Sequence, residues 1–151
     1  MEQTDHPQPQ SRKILIIGIL HLVFAAIYIY LAFNALLKME DLLSQVPSSY
    51  RGSMRTANFL DIVIDGIGFV GLLIAGIMLL QKRAMGRTIT RKLAPILVGG
   101  IVVIMAYTLI AFGDEVGSSI IVLGLGLLVR FAYPLIAARQ LAASDEELGL
   151  T

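Results

Sequence analysis

The chain contains no cysteine and only two histidines in 151 residues. Without thiols there can be no disulfide, no thiolate nucleophile and no cysteine-held zinc or iron–sulfur centre, so four-span thiol oxidoreductases are excluded. One of the histidines, His6, lies in a polar N-terminal stretch, and a single copy therefore cannot present a haem with two imidazoles at membrane depth. Catalytic-triad spacing, a metal-ligand cluster and a phosphate-binding loop are all missing, and no cofactor is implied. Charge is scarce as well. Charged residues make up 15% of the chain against 56% hydrophobic ones, and the mean hydropathy is +0.79, beyond what a water-facing surface tolerates. A formal net charge of +1 gives no field to attract nucleic acid.

What is present is a series of long apolar runs separated by short polar ones. Ile14 to Leu37, Phe59 to Leu80, Ala94 to Phe112 and about 118–138 are each near the ~20 residues that a helix needs to cross ~30 Å of hydrocarbon. In lipid the backbone must satisfy its own hydrogen bonds, so these runs predict helices. The expected fold is all-α: a four-helix transmembrane bundle, up-down-up-down, because the connections at Lys82–Leu93 and Gly113–Gly117 are too short for anything but antiparallel neighbours. Residues 1–12, rich in Pro, Gln and acids, predict a disordered tail. Residues 13–143 form the membrane domain, and 144–151 an acidic, frayed end. The first run is too long for a signal-peptide core and reads as a retained anchor.

Helix ends are marked locally. Pro47 should stop the first helix, Ser48 or Ser49 could cap a short surface helix, and Gly86 reads as a helix stop. Pro95 falls in the first turns of the third span, where a missing N–H costs least. Pro134 falls inside the fourth, where it removes the bond to the Arg130 carbonyl and predicts a kink.

Bases sort by side. Arg12, Lys13, Lys82, Arg83, Arg87, Arg91, Lys92 and Arg139 lie at one end of the expected bundle, against Lys38, Arg51 and Arg55 at the other. Positive loops stay in the cytoplasm, which predicts cytoplasmic termini in an inner membrane. Tyr30, Phe33, Phe59, Tyr107 and Phe112 then mark the outer boundary, and Phe131 and Tyr133 the inner one.

Four ionisable residues interrupt the runs. Asp61 and Asp65 are one helical turn apart and share a face, a pattern suited to sharing protons or binding a cation. Asp61 is also readable as a water-reached carboxylate in the first turn of its span, and Asp65 as a partner for a hydroxyl from Tyr28 or Tyr107. His21 and Arg130 should lie at similar depth, as a site for an anionic headgroup or a quinone; otherwise Arg130 snorkels and His21 bonds a backbone carbonyl. On helix rise alone Asp65 and Arg130 differ in depth by ~9 Å, which argues against a direct ion pair.

Gly66, Gly68 and Gly71 spell a dinucleotide fingerprint, but one inside a hydrophobic helix with no preceding strand, so the glycines are better read as packing positions. Gly68, Gly71 and Ala75, with Gly124 and Gly126 in the fourth span, give narrow faces for helix contact, as does the stripe Gly18, His21, Ala25, Tyr28, Ala32, Ala35 in the first.

From Gly71 to Leu93 the stretch GLLIAGIMLLQKRAMGRTITRKL resembles uncharacterised four-span bacterial inner-membrane proteins, in which a Gly-rich helix ends in a basic, Gly-Arg-containing turn. The resemblance implies a multi-pass protein of the bacterial inner membrane and no activity. Small multidrug exporters also have four spans but carry their essential acid in the first, where this chain has none. The expected function is that of a non-enzymatic membrane protein: an accessory subunit packed against a membrane partner, or a homo-oligomer. The alternatives are a proton- or cation-coupled carrier centred on Asp65, and a lipid or quinone binder near His21 and Arg130.

Overall fold

The computed structural model describes residues 9–112, 130, 132–142, 148 and 150. Three helices account for most of them: α1 (Pro9–Gln45), α2 (Arg51–Leu80) and α3 (Ala84–Phe112). Each is long and apolar enough to cross a membrane. Arg130 and residues 132–140 are helical too, and we label this segment α4. Most of the fourth expected span, including Gly124 and Gly126, lies outside the described residues.

Side-chain contacts set the directions. Tyr28 of α1 lies against Gly68 of α2, and ten residues earlier Gly18 lies against Gly76 and Leu80, so α1 and α2 are antiparallel. Gly71 meets Leu93 and Ile64 meets Gly100, which makes α2 and α3 antiparallel as well. Along α4, Arg130 is level with Tyr28 and Tyr133 with Ile17 and His21. Ala137 and Leu141 then join Ile14, Ile17 and Leu79 in one buried cluster, so α4 runs against α1 and alongside α2.

At ~1.5 Å per residue, α1 with 37 residues and α2 with 30 measure ~55 Å and ~45 Å, more than hydrocarbon requires. Their excess forms a polar hairpin carrying Lys38, Glu40, Asp41, Arg51 and Arg55. Pro47 closes α1 as expected. The next helix is not a separate surface piece capped by serine, however: α2 begins at Arg51, Tyr50 precedes it without a side-chain cap, and the turn is tied by Tyr50 N–H donating to the Pro47 carbonyl at 3.0 Å. A continuous helix keeps backbone donors paired through the interface, which a break there would not.

The second turn departs from expectation in a similar way. Gly86 does not stop a helix. The break is at Gln81–Arg83, where Lys82 adopts φ 57°, Lys82 N–H bonds the Leu79 carbonyl and Arg83 N–H bonds the Met78 carbonyl, the pair of bonds that closes a Schellman cap. Gly86 belongs to the first turn of α3, because a Cβ there would meet Leu79 N at 2.8 Å and Ala75 O at 2.9 Å. Its glycine serves close approach of α3 to α2. Starting α3 at Ala84 also places Pro95 well inside the helix.

Both chain ends contribute more than expected. α1 starts at Pro9, inside the stretch expected to be a disordered tail, with proline in the first turn where its missing N–H is harmless. At the other end, Leu148 and Leu150 are buried against Ile14, Ile17, Leu79, Ala137 and Leu141, so the expected fraying does not extend to them. Apolar side chains at a chain end bury themselves when a helix-end pocket is open to them.

The glycines of the rejected fingerprint divide cleanly. A Cβ on Gly68 would come within 2.6 Å of the Tyr28 ring and one on Gly71 within 2.7 Å of Leu93, while one on Gly66 would meet nothing within 4 Å. Gly68→Ala should lower the thermal midpoint in detergent by displacing Tyr28. Gly66→Ala should leave it unchanged or raise it, since alanine is favoured over glycine in a helix by about 1 kcal/mol. Equal effects of the two would contradict this packing.

Candidate functional site

Two buried polar clusters lie inside the apolar helices. The first is ionic. Arg130 donates from Nη1 to Asp61 Oδ1 at 2.7 Å and from Nη2 to Asp65 Oδ2 at 3.0 Å, one guanidinium spanning two carboxylates a helical turn apart. Asp65 is completely buried, whereas the Asp61 side chain keeps 27% of its exposure and the Arg130 side chain 16%. Because α2 starts at Arg51, Asp65 is the fifteenth of its 30 residues, at mid-helix, and Asp61 is well clear of the helix N-terminus. The helix-end stabilisation considered for Asp61 therefore does not apply; its partner is Arg130.

The ion pair itself corrects the expectation from helix rise. Helix rise gives the depth of Cα atoms and omits the length of the arginine stem. Side chains on a helix lean toward its N-terminus, and α4 runs alongside α2, so a long Arg130 side chain leans toward the level of Asp65 and Asp61. Two opposite charges in apolar surroundings are worth bringing together across several ångströms, since each alone would be expensive.

Tyr28 completes this cluster by a different route. Its hydroxyl donates at 3.2 Å to the Arg130 backbone carbonyl, the acceptor that Pro134 strips of its helical partner. A buried phenol and an orphaned carbonyl thus satisfy each other. Neither Tyr28 nor Tyr107 has a hydrogen bond to Asp65 among the described residues, so the hydroxyl expected to serve the aspartate serves the proline site instead.

The second cluster surrounds His21, also completely buried. Its Nε2 lies 2.9 Å from Thr90 Oγ1, and Thr90 donates its own hydroxyl proton to the Gly86 carbonyl at 2.9 Å. Nδ1 lies 2.9 Å from the Ile17 carbonyl and within hydrogen-bond reach of the Tyr133 hydroxyl. Tyr133 is stacked on Phe24 with ring centroids 3.7 Å apart and meets His21 edge-on at 5.5 Å. It is half-buried, whereas Tyr30, Phe33 and Phe59 are exposed, as an outer belt requires.

Of the four ionisable candidates, Asp61, Asp65 and Arg130 come together and His21 stands apart. No hydrogen bond joins His21 to Arg130 among the described residues, and a headgroup or quinone held by both would have to break bonds each already makes. Thr90 and Tyr133 were not anticipated as site residues. Thr90 falls in the Lys82–Leu93 stretch that reads as a basic connection, yet its place four residues after Gly86, the packing glycine, is the signal that it faces the bundle. Tyr133 is one residue before Pro134 and one turn after Arg130, the spacing that puts it on the same face.

Gly68 lies against the Tyr28 ring and Gly71 against Leu93, and Ala75 is fully buried. The stripe on α1 faces inward at Gly18, His21, Ala25, Tyr28 and Ala32, and is half-buried at Ala35.

Three long apolar helices around buried polar clusters mark a membrane-embedded, multi-pass helical protein. Beyond that class, no protein-family model, curated protein or solved structure matches the chain.

The ionic cluster makes a sharp energetic prediction. Arg130→Met leaves two carboxylates without their counter-charge and should destabilise the fold by about 3–5 kcal/mol, the usual cost of breaking one side of a buried pair. Adding Asp61→Asn and Asp65→Asn should restore much of the loss. Thermal unfolding in detergent measures both, and a harmless Arg130→Met would contradict the assignment.

Proposed function

We propose that this chain is a small, non-enzymatic membrane carrier whose working part is the Asp61–Arg130–Asp65 cluster, binding and releasing a proton or a small cation. One observation carries the reading. Two carboxylates share a single guanidinium, and Asp65 Oδ1, buried and free of any hydrogen-bond partner among the described residues, is left over. With all three groups ionised the cluster holds one excess negative charge in apolar surroundings, and uptake of a positive charge removes it. Asp61, partly exposed at the cluster's edge, is the entry point.

In this reading the chain has four spans, with both termini and the Lys82–Lys92 loop on the cytoplasmic side of a bacterial inner membrane, as the distribution of bases supports. Single cysteines at Met85 and Ser118 test it: an impermeant maleimide applied to intact cells should label the second and spare the first.

The second reading, an accessory subunit or homo-oligomer, needs a face for a partner helix, and the outer face of α3 offers one, where Ile96, Val102, Val103, Leu109 and Ile110 are exposed and Gly99 has open space beside it. Of the glycines read as packing positions, Gly18, Gly68 and Gly71 are committed within the chain, each meeting a neighbouring helix. Asp65→Asn separates the readings, since it keeps the Arg130–Asp61 pair and leaves the cluster neutral. The carrier reading requires wild-type proteoliposomes to show a pH- or cation-driven flux that this variant loses while its thermal midpoint holds or rises. A wild type without flux that co-purifies with a stoichiometric partner favours the accessory reading.

A further inference from the structure

The His21 cluster has a feature that packing alone does not require: its partners suit two protonation states of the ring without moving a heavy atom. Thr90 Oγ1 lies 2.9 Å from both Nε2 and the Gly86 carbonyl, so its one hydroxyl proton can turn to either, and the direction it takes is tied to the tautomer of the ring. With the Thr90 hydroxyl turned to the Gly86 carbonyl, Nε2 carries the proton of the neutral ring and Nδ1 is a bare acceptor. The Tyr133 hydroxyl is placed to donate to it, yet the Ile17 carbonyl, itself only an acceptor, also lies 2.9 Å from Nδ1. Two acceptors facing each other at that distance repel unless a proton comes between them. When one arrives on Nδ1, N–H donates to Ile17 O, and the Tyr133 hydroxyl turns to the same carbonyl, 3.4 Å away. The ring gains one proton and one positive charge, no covalent bond breaks, and a single hydroxyl rotates.

Among the described residues the ring's hydrogen-bond partners are the Ile17 carbonyl from α1, Thr90 from α3 and Tyr133 from α4, and Gly76 of α2 lies close to the His21 Cβ. None of the described charged side chains is hydrogen-bonded to it. The ionic cluster is reached along α4, where Arg130 precedes Tyr133 by one turn.

We infer that His21, held by Thr90 and Tyr133, is a second proton-binding station, and that the species handled by the buried clusters is the proton rather than a metal cation. The inference deepens the carrier reading and rests on it for the word transport, though not for the chemistry of the ring. A metal ion would need the space between Asp61 and Asp65 that the Arg130 guanidinium fills at 2.7 and 3.0 Å, and no group of three or more His, Cys, Asp or Glu able to hold one occurs among the described residues. A proton needs only one lone pair at each station. His21 offers one at Nδ1 and Asp65 one at Oδ1.

The test uses the full chain with His6→Gln, so that His21 is the only histidine, reconstituted in phosphatidylethanolamine–phosphatidylglycerol vesicles. Nitrogen NMR of isotope-labelled histidine should show the Nε2–H tautomer at about pH 9 and reversible protonation of Nδ1 as the pH falls to about 4. Tyr133→Phe, which keeps the stacking on Phe24 but removes the hydroxyl, should move the midpoint. An Nδ1–H tautomer at the alkaline end, or a ring unchanged over the whole range, overturns the station. In the same vesicles an Asp65-dependent flux should follow an H⁺ gradient, ignore Na⁺ and K⁺, and be lost in His21→Gln. A flux carried by Na⁺ or K⁺ overturns the assignment of the proton while leaving the carrier reading standing. A titrating ring with no flux in any gradient supports the station and removes the carrier reading.

Discussion

Hydrocarbon does not solvate charge, and the arrangement of this molecule follows from that constraint at one side chain, Arg130. A guanidinium cannot be neutralised at any ordinary pH, so once it enters an apolar bundle the neighbouring helices must supply its counter-charge. α2 supplies it twice, through Asp61 and Asp65. Holding them requires α4 to approach α2 at mid-helix. The backbone of the same residue is involved as well: Pro134 frees the Arg130 carbonyl, Tyr28 of α1 caps it, and Gly68 of α2 lacks the side chain that would collide with the Tyr28 ring. A proline, a tyrosine and a glycine on three helices thus serve one position, and each has a stated physical reason to be the residue it is.

The bundle joins two kinds of polar site through one turn of α4. The ionic cluster has charge to spare and an exposed edge at Asp61; the His21 cluster is uncharged when the ring is neutral and closed on all the sides described. Below the second lies the apolar seal of Ile14, Ile17, Leu79, Ala137, Leu141, Leu148 and Leu150, in which Ile17 has a double part, its side chain in the seal and its carbonyl facing the imidazole. Polar groups enclosed in this way are stable only when fully partnered, and Asp65 Oδ1 is the conspicuous departure from that rule within the clusters. Departures of this kind in an otherwise satisfied interior are where function tends to reside.

Several features could be read along the chain because they depend on neighbours in sequence. The apolar runs declared the three long helices, Pro47 ended the first, and Pro134 marked the carbonyl that would need a new partner. The inward face of α1 was visible in its small-residue stripe. Other features depended on neighbours in space. The Asp65–Arg130 pair was obscured because helix rise locates Cα atoms, whereas ion pairs form between side-chain ends. Gly86 looked like a stop because glycine often is one, but the left-handed residue is Lys82 and the glycine is needed where two backbones nearly touch. Thr90 lay among bases that suggested a loop, and Tyr133 among aromatics that suggested an interface.

By itself, the order of amino acids determined that this is a helical, membrane-embedded chain with ionisable residues placed where they must be accounted for, because hydropathy, proline and glycine act on the backbone within a few residues. Which of those ionisable groups meet, and which hydroxyls complete them, was decided only by tertiary packing. Partners on different helices are brought together by how the rods cross and how far their side chains reach, and neither quantity is written in any one segment.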